Sequence, residues 1–137
     1  MIEEIKKTPD IEGITITGGE PFDQILPISK LINEIKKNNL TIVVFTGYRL
    51  DEIDKDPQKY DAFLNTDIVI TGRYEKDKKS NNLRWRGSSN QIIYYHNSYY
   101  EKQFEKAPET SEFEVHFDEK GEIILTGFPD IKFKDMI

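Results

Sequence analysis

Apolar residues recur along this chain at two different spacings. The segments GITIT (13–17), TIVVF (41–45), DIVI (67–70) and QIIYY (91–95) are short and rich in β-branched residues, which predicts strands. The unbroken apolar run of TIVVF suits a strand covered on both faces. Between the first two strands, Ile28, Leu31, Ile32 and Ile35 fall at i, i+3, i+4 and i+7. That spacing predicts a helix from about Pro27 to Asn38, with Pro27 in the first turn and Asn38 and Asn39 as the stop. Residues 1–7 read as the last turns of another helix, broken by Thr8, Pro9 and Asp10. Residues 49–64 predict a helical region interrupted at Pro57, its second piece packed through Tyr60, Phe63 and Leu64. A polar loop follows over 72–89, and a short helical stretch is expected near 99–106. FEVHF and EIILT then flank DEKG, which predicts a hairpin with Gly121 at a positive φ.

Strands alternating with helices argue for an α/β fold with a mostly parallel sheet. Such sheets bind ligands beyond the C-terminal ends of their strands. Three successive strands here end in Thr-Gly: Thr17-Gly18, Thr46-Gly47 and Thr71-Gly72. Glycine ends strands wherever φ must be positive, so turn chemistry alone also explains the pattern. No strand end carries the dinucleotide-binding glycine fingerprint, and no phosphate-loop motif occurs.

Composition narrows the chemistry. The 137 residues suit one domain, read as 1–137. They include no cysteine, which excludes a disulfide framework, a cysteine nucleophile and any thiolate-held metal or cluster supplied by this chain. With only His96 and His116, a zinc site is not expected. The net charge of −6 argues against nucleic acid as a partner, and the Arg84-Trp85-Arg86 triplet is weak evidence for one. No apolar run is long enough to span a membrane, so a cytoplasmic location is expected.

Several stretches, in order, resemble a known family. ITITGGEPF (14–22) resembles the Gly-Gly-Glu strand ending of radical S-adenosylmethionine (SAM) enzymes. FTGY (45–48), DIVITGRYEKD (67–77), RGSSNQ (86–91) and ILTGFP (124–129) then follow as in the small activating proteins of anaerobic ribonucleotide reductase. The resemblance implies a partial (β/α) barrel of the radical SAM type, ending in a C-terminal β-hairpin. It implies SAM and a [4Fe-4S] cluster as cofactors, and a 5′-deoxyadenosyl radical that takes hydrogen from a glycine of the large reductase. Carried over by position, Gly18, Gly19 and Glu20 would receive the methionine amino group of SAM, and Pro21 would stiffen the turn. Thr46 would face SAM from the side, and Arg73 would pair with the methionine carboxylate. Glu20 as a helix cap, Arg73 as a solvated rim charge and Tyr48 as a packing aromatic are the plainer readings of the same residues.

One departure from the family is large. Its members hold the cluster on a C-x3-C-x2-C loop that precedes the Gly-Gly-Glu strand, and this chain has no cysteine there or anywhere. The expectation is a radical-SAM-like domain that lacks its first strand and cluster loop, with no catalytic residue or metal ligand of its own. GITIT then becomes an unpaired edge, expected to recruit a second copy as a homodimer or a chain supplying the cysteine segment. Three readings stay open: a truncated or split glycyl-radical activase, a non-catalytic SAM or nucleoside-binding module, and a regulatory partner docking on a reductase.

Overall fold

A computed structural model describes residues 2–105, 113–117 and 123–127. Its centre is a four-stranded sheet in the order β1 (Gly13–Ile16), β2 (Thr41–Phe45), β3 (Ile68–Thr71) and β4 (Ile92–Tyr95). β1, β2 and β3 run parallel, with Ile14 opposite Ile42 and Val44 opposite Val69. β4 returns antiparallel, pairing Ile70 with Ile93, so the sheet is mixed rather than wholly parallel. Its reversal follows from the connection. Residues 72–91 contain no crossover helix, only a 3-10 turn over Lys76–Lys78 and a single bridge between Lys79 and Ser88. A chain that turns back without crossing the sheet must pair antiparallel.

Among the described residues, four helices flank one face, and a fifth sends Tyr100 to Thr41 on the other. α1 spans Ile2–Lys7 and α2 spans Ile25–Lys37. α2 begins two residues before Pro27, because the 3-10 turn Pro21–Gln24 leads directly into it. Pro27 is tolerated there, since first-turn N–H groups have no intrahelical acceptor. α3 (Leu50–Ile53) and α4 (Pro57–Leu64) flank the break at Pro57, and Asp56 caps α4 through the Gln58 and Lys59 amides. α5 covers Ser98–Glu105.

Period-two alternation divides the sheet between two faces. Ile42, Val44 and Val69 join Phe22, Ile32, Ile35, Ile53, Ala62 and Phe63 in the helix-side core. Phe63 and Ala62 anchor α4, whereas Tyr60 and Leu64 are 40% and 50% exposed, contrary to the expected packing. α4 is covered on the side that meets α2 and α3, and its other side faces solvent. Ile68 and Ile70 are buried on the opposite face.

β5 (Phe113–Phe117) and β6 (Ile123–Gly127) pair antiparallel as the expected hairpin, with Val115 opposite Leu125. The expected positive φ at Gly121 lies outside the described residues. Among the described residues, no helix is long and apolar enough to cross a membrane.

Candidate functional site

The ends of β1, β2 and β3 converge on one pocket of about 300 Å³. Its walls include Thr17, Gly18, Gly19 and Glu20 after β1, Thr46 and Gly47 after β2, and Gly72 and Arg73 after β3. Five of the six residues singled out from sequence therefore meet there. Pro21 does not. It is buried beside Phe22 and opens the 3-10 turn, facing a different hollow.

Glu20 ties the rim together. Its Oε1 accepts from the Phe22 amide at 3.0 Å and from the Thr46 hydroxyl at 2.6 Å, while Oε2 accepts from the Gly47 amide at 2.8 Å. The helix-cap reading is thus realised, since the Phe22 bond caps the 3-10 turn. The carboxylate also does more, because it joins the β1 loop to the end of β2. A carboxylate offers about four lone-pair sites, so one on Oε2 stays open to a further donor. Thr46 is 4% exposed, and its hydroxyl both donates to Glu20 and accepts from the Tyr48 amide.

Gly18 and Gly19 adopt φ of +85° and +58°, a region that side chains disfavour. A Cβ built on either meets nothing within 4 Å, so both present bare backbone to open space. Gly47 has a different constraint. A Cβ there would come within 3.2 Å of Arg73 Cγ and 3.3 Å of Glu20 Oε2.

Arg73 is exposed at the pocket mouth, where Nη1 pairs with Glu52 at 3.0 Å. Its guanidinium carbon also lies 5.7 Å from the Tyr48 ring centroid, and Lys59 Nζ lies 4.7 Å from the same centroid. Tyr48 donates its hydroxyl to Asp23, which raises the phenol pKa above its usual value. Tyr48 is not among the pocket walls and packs partly against the core, as a packing aromatic does. The Arg49 amide, and then Arg73, hold the Glu52 carboxyl below the ordinary glutamate value.

Sequence reasoning did not assign RGSSNQ any contacts. The structure makes it the clamp on β3. Gln91 donates to the Gly72 carbonyl at 3.0 Å and accepts from the Gly87 and Ser88 amides. Asn90 donates to the Arg73 carbonyl at 2.7 Å. Ser88, fully buried, accepts from the Glu75 amide. Gln91 and Tyr74 also line the pocket. Neither residue type carries a local signal, because their partners lie many residues away.

A [4Fe-4S] cluster requires three or four thiolates or equivalent ligands. The chain contains no cysteine, and no group of three His, Asp or Glu side chains among the described residues is arranged to hold a metal. The residues present do not fit the cluster. They do fit the amino-acid end of a small ligand: one open carboxylate acceptor, a guanidinium and bare glycine backbone share one rim.

The chain is similar to proteins named anaerobic ribonucleoside-triphosphate reductase-activating protein. The Pasteurella multocida relative is 37% identical over 72% of this chain and 66% of its own length. The Haemophilus influenzae relative is 33% identical over 69% of this chain and 63% of its own length. The Escherichia coli K12 relative is 33% identical over 61% of this chain and 56% of its own length. The chain thus spans about two thirds or less of the relatives it matches. No solved structure gives a significant match. Residues 1–94, more than half of the chain, match the model of the 4Fe-4S single cluster domain, so the chain belongs to that family.

Proposed function

We propose that this chain is the SAM-binding part of a radical SAM activating protein for an anaerobic ribonucleotide reductase, acting in the cytoplasm, its four strands forming part of a (β/α) barrel. One observation carries the reading: Gly18, Gly19, Glu20, Thr46 and Arg73, from three strand ends, meet around a single pocket. That pocket lies beyond the C-terminal ends of parallel strands, where α/β sheets bind ligands. SAM supplies the adenosyl group from which the radical chemistry of such activating proteins starts.

Each residue has a defined task in this reading. Glu20 accepts a hydrogen bond from the methionine ammonium on its open Oε2 position, and the Thr46 and Gly47 donors hold the carboxylate oriented. Gly18 and Gly19 let the ligand approach the backbone. Arg73 pairs with the methionine carboxylate through its two-pronged donor geometry, exchanging its contact with Glu52 for the ligand. The reductase is the partner that receives the radical. No step is assigned to a cluster on these residues.

Isothermal calorimetry with SAM under argon tests the reading. Saturable binding is expected, weakened at least tenfold in Glu20→Gln and about fivefold in Arg73→Ala, with thermal melts confirming that both variants fold. No heat at millimolar SAM overturns it. The absence of cysteine favours a second reading, a binding module without radical chemistry. It predicts the same SAM binding but no glycyl radical signal on a reductase, even when every other component is supplied.

A further inference from the structure

Arg73 is rooted in the pocket rim, but its charge is neutralised outside it. Its main chain is fixed, because Asn90 donates to its carbonyl at 2.7 Å. The start of its stem is fixed too. Cγ lies 3.2 Å from where a Cβ on Gly47 would stand, and the Gly47 amide bonds Glu20. The guanidinium beyond is exposed, and its Nη1 reaches both oxygens of Glu52, at 3.0 and 3.3 Å. The foot of the side chain therefore belongs to the pocket, while its tip is drawn off to α3.

Glu52 stays in place if Arg73 leaves. Its Oε2 accepts from the Arg49 amide at 2.9 Å, which fixes the carboxylate at the start of α3. That amide, and then Arg73, hold the carboxyl below its ordinary value, so it is charged at neutral pH. The guanidinium also has a second seat. Its carbon lies 5.7 Å from the Tyr48 ring centroid, and that ring is itself held by the hydroxyl's bond to Asp23. A tip that lets go of Glu52 keeps this contact. An exposed ion pair of this kind contributes roughly a two- to fivefold factor to an equilibrium. That is enough to bias where the guanidinium rests, and little enough for a ligand to undo.

We infer that Glu52 is a positioning residue for the amino-acid end of the ligand: it competes with the ligand carboxylate for Arg73, and it gives that guanidinium a place to return to when the carboxylate leaves. The inference rests on the SAM reading above and adds a residue that lies outside the pocket walls. It also fits the chemistry of that reading. Once the adenosyl group is gone, methionine remains with its carboxylate and must depart before another SAM enters. A fixed competitor on α3 loosens the hold on both and speeds their exchange.

Calorimetry with SAM on the full chain tests it. Glu52→Gln keeps the side-chain shape and an oxygen for the Arg49 amide, but removes the charge. It is expected to tighten SAM binding about threefold. Charge removal alone predicts the opposite sign, because SAM is a net cation. Two controls isolate the mechanism. Decarboxylated SAM has no group to draw Arg73 from Glu52, and is expected to bind Glu52→Gln no tighter than the unaltered chain. In an Arg73→Ala background, Glu52→Gln is expected to bring no tightening of SAM. The inference is overturned by SAM affinity that does not rise in Glu52→Gln, by an equal rise for decarboxylated SAM, or by a rise that survives Arg73→Ala. No SAM binding in any chain overturns the SAM reading and this inference together, whereas SAM binding that Glu52→Gln leaves unchanged overturns this inference alone.

Discussion

β2 and β3 end in the same Thr-Gly dipeptide, yet the two glycines answer different constraints. After β2, Gly47 is small because charged groups crowd it: its amide bonds Glu20, and a Cβ would press on Glu20 and Arg73. After β3, Gly72 has room, its nearest would-be neighbour standing at 3.5 Å, but its φ is +96°. The threonines differ likewise. Thr46 donates to a carboxylate of the β1 loop, whereas Thr71 donates to the Ile92 carbonyl of the neighbouring strand. One strand end is thus built around a charged side chain and the other around backbone conformation, so the same two letters report proximity in one place and dihedral angle in the other.

The largest expected effect tests the charged end. Glu20→Ala leaves the Phe22 and Gly47 amides and the Thr46 hydroxyl without their acceptor, at a cost of roughly 2–4 kcal/mol of stability. Urea denaturation measures it, and a loss below about 1 kcal/mol would mean that water replaces the carboxylate and that β2 ends no differently from β3.

The conformational end comes next. Gly72→Ala forces a side chain into a disfavoured region and is expected to cost roughly 1–3 kcal/mol. Gly47→Ala is expected to cost less than about 1 kcal/mol, because Arg73 Cγ can move, while weakening SAM binding by displacing Arg73 and Glu20. Equal losses of stability in the two glycine variants would erase the distinction.

Gln91→Ala sharpens the comparison further, since Gln91 is to β3 what Glu20 is to β2. Losing three hydrogen bonds from a neutral, half-buried amide is expected to cost roughly 1–2 kcal/mol. Deuterium exchange should rise at Gly87 and Ser88 and stay unchanged at Gly47.

The smallest effect is a titration. Glu52 has a folded pKa below its ordinary value, so its pairing persists above that range and is lost as pH falls through the lowered value. Arg73→Ala should raise the Glu52 midpoint only part of the way, because the Arg49 amide is the larger cause. Carbon-detected NMR of the Glu52 carboxyl reads this directly, and full recovery of the ordinary value would make Arg73 the dominant partner.

Much of this was legible in the chain. The periods of Ile28, Leu31, Ile32 and Ile35 and of TIVVF placed α2 and β2 within a residue or two, because burial on one stripe or two faces imposes those spacings. The Thr-Gly repeats marked three strand ends, which share one rim. What escaped depended on distant partners. The start of α2 moved because Glu20, not a residue of α2, caps the turn that feeds it. Tyr60 and Leu64 read as packing residues, but which face of α4 is covered is decided by what stands opposite it. RGSSNQ could not be assigned, because Gln91 and Asn90 act on carbonyls 19 and 17 residues earlier.

By itself, the sequence determined the α/β order, the glycine-bearing strand ends and the absence of thiolates, since these follow from local periodicity, backbone preference and composition. Only the tertiary structure decided that Glu20 bridges two strand ends, that β4 turns antiparallel, and that an apolar hollow beside β1 reaches the pocket. Those facts depend on which segments become neighbours in space, and hydrogen bonds and packing between distant residues leave no period in the chain that makes them.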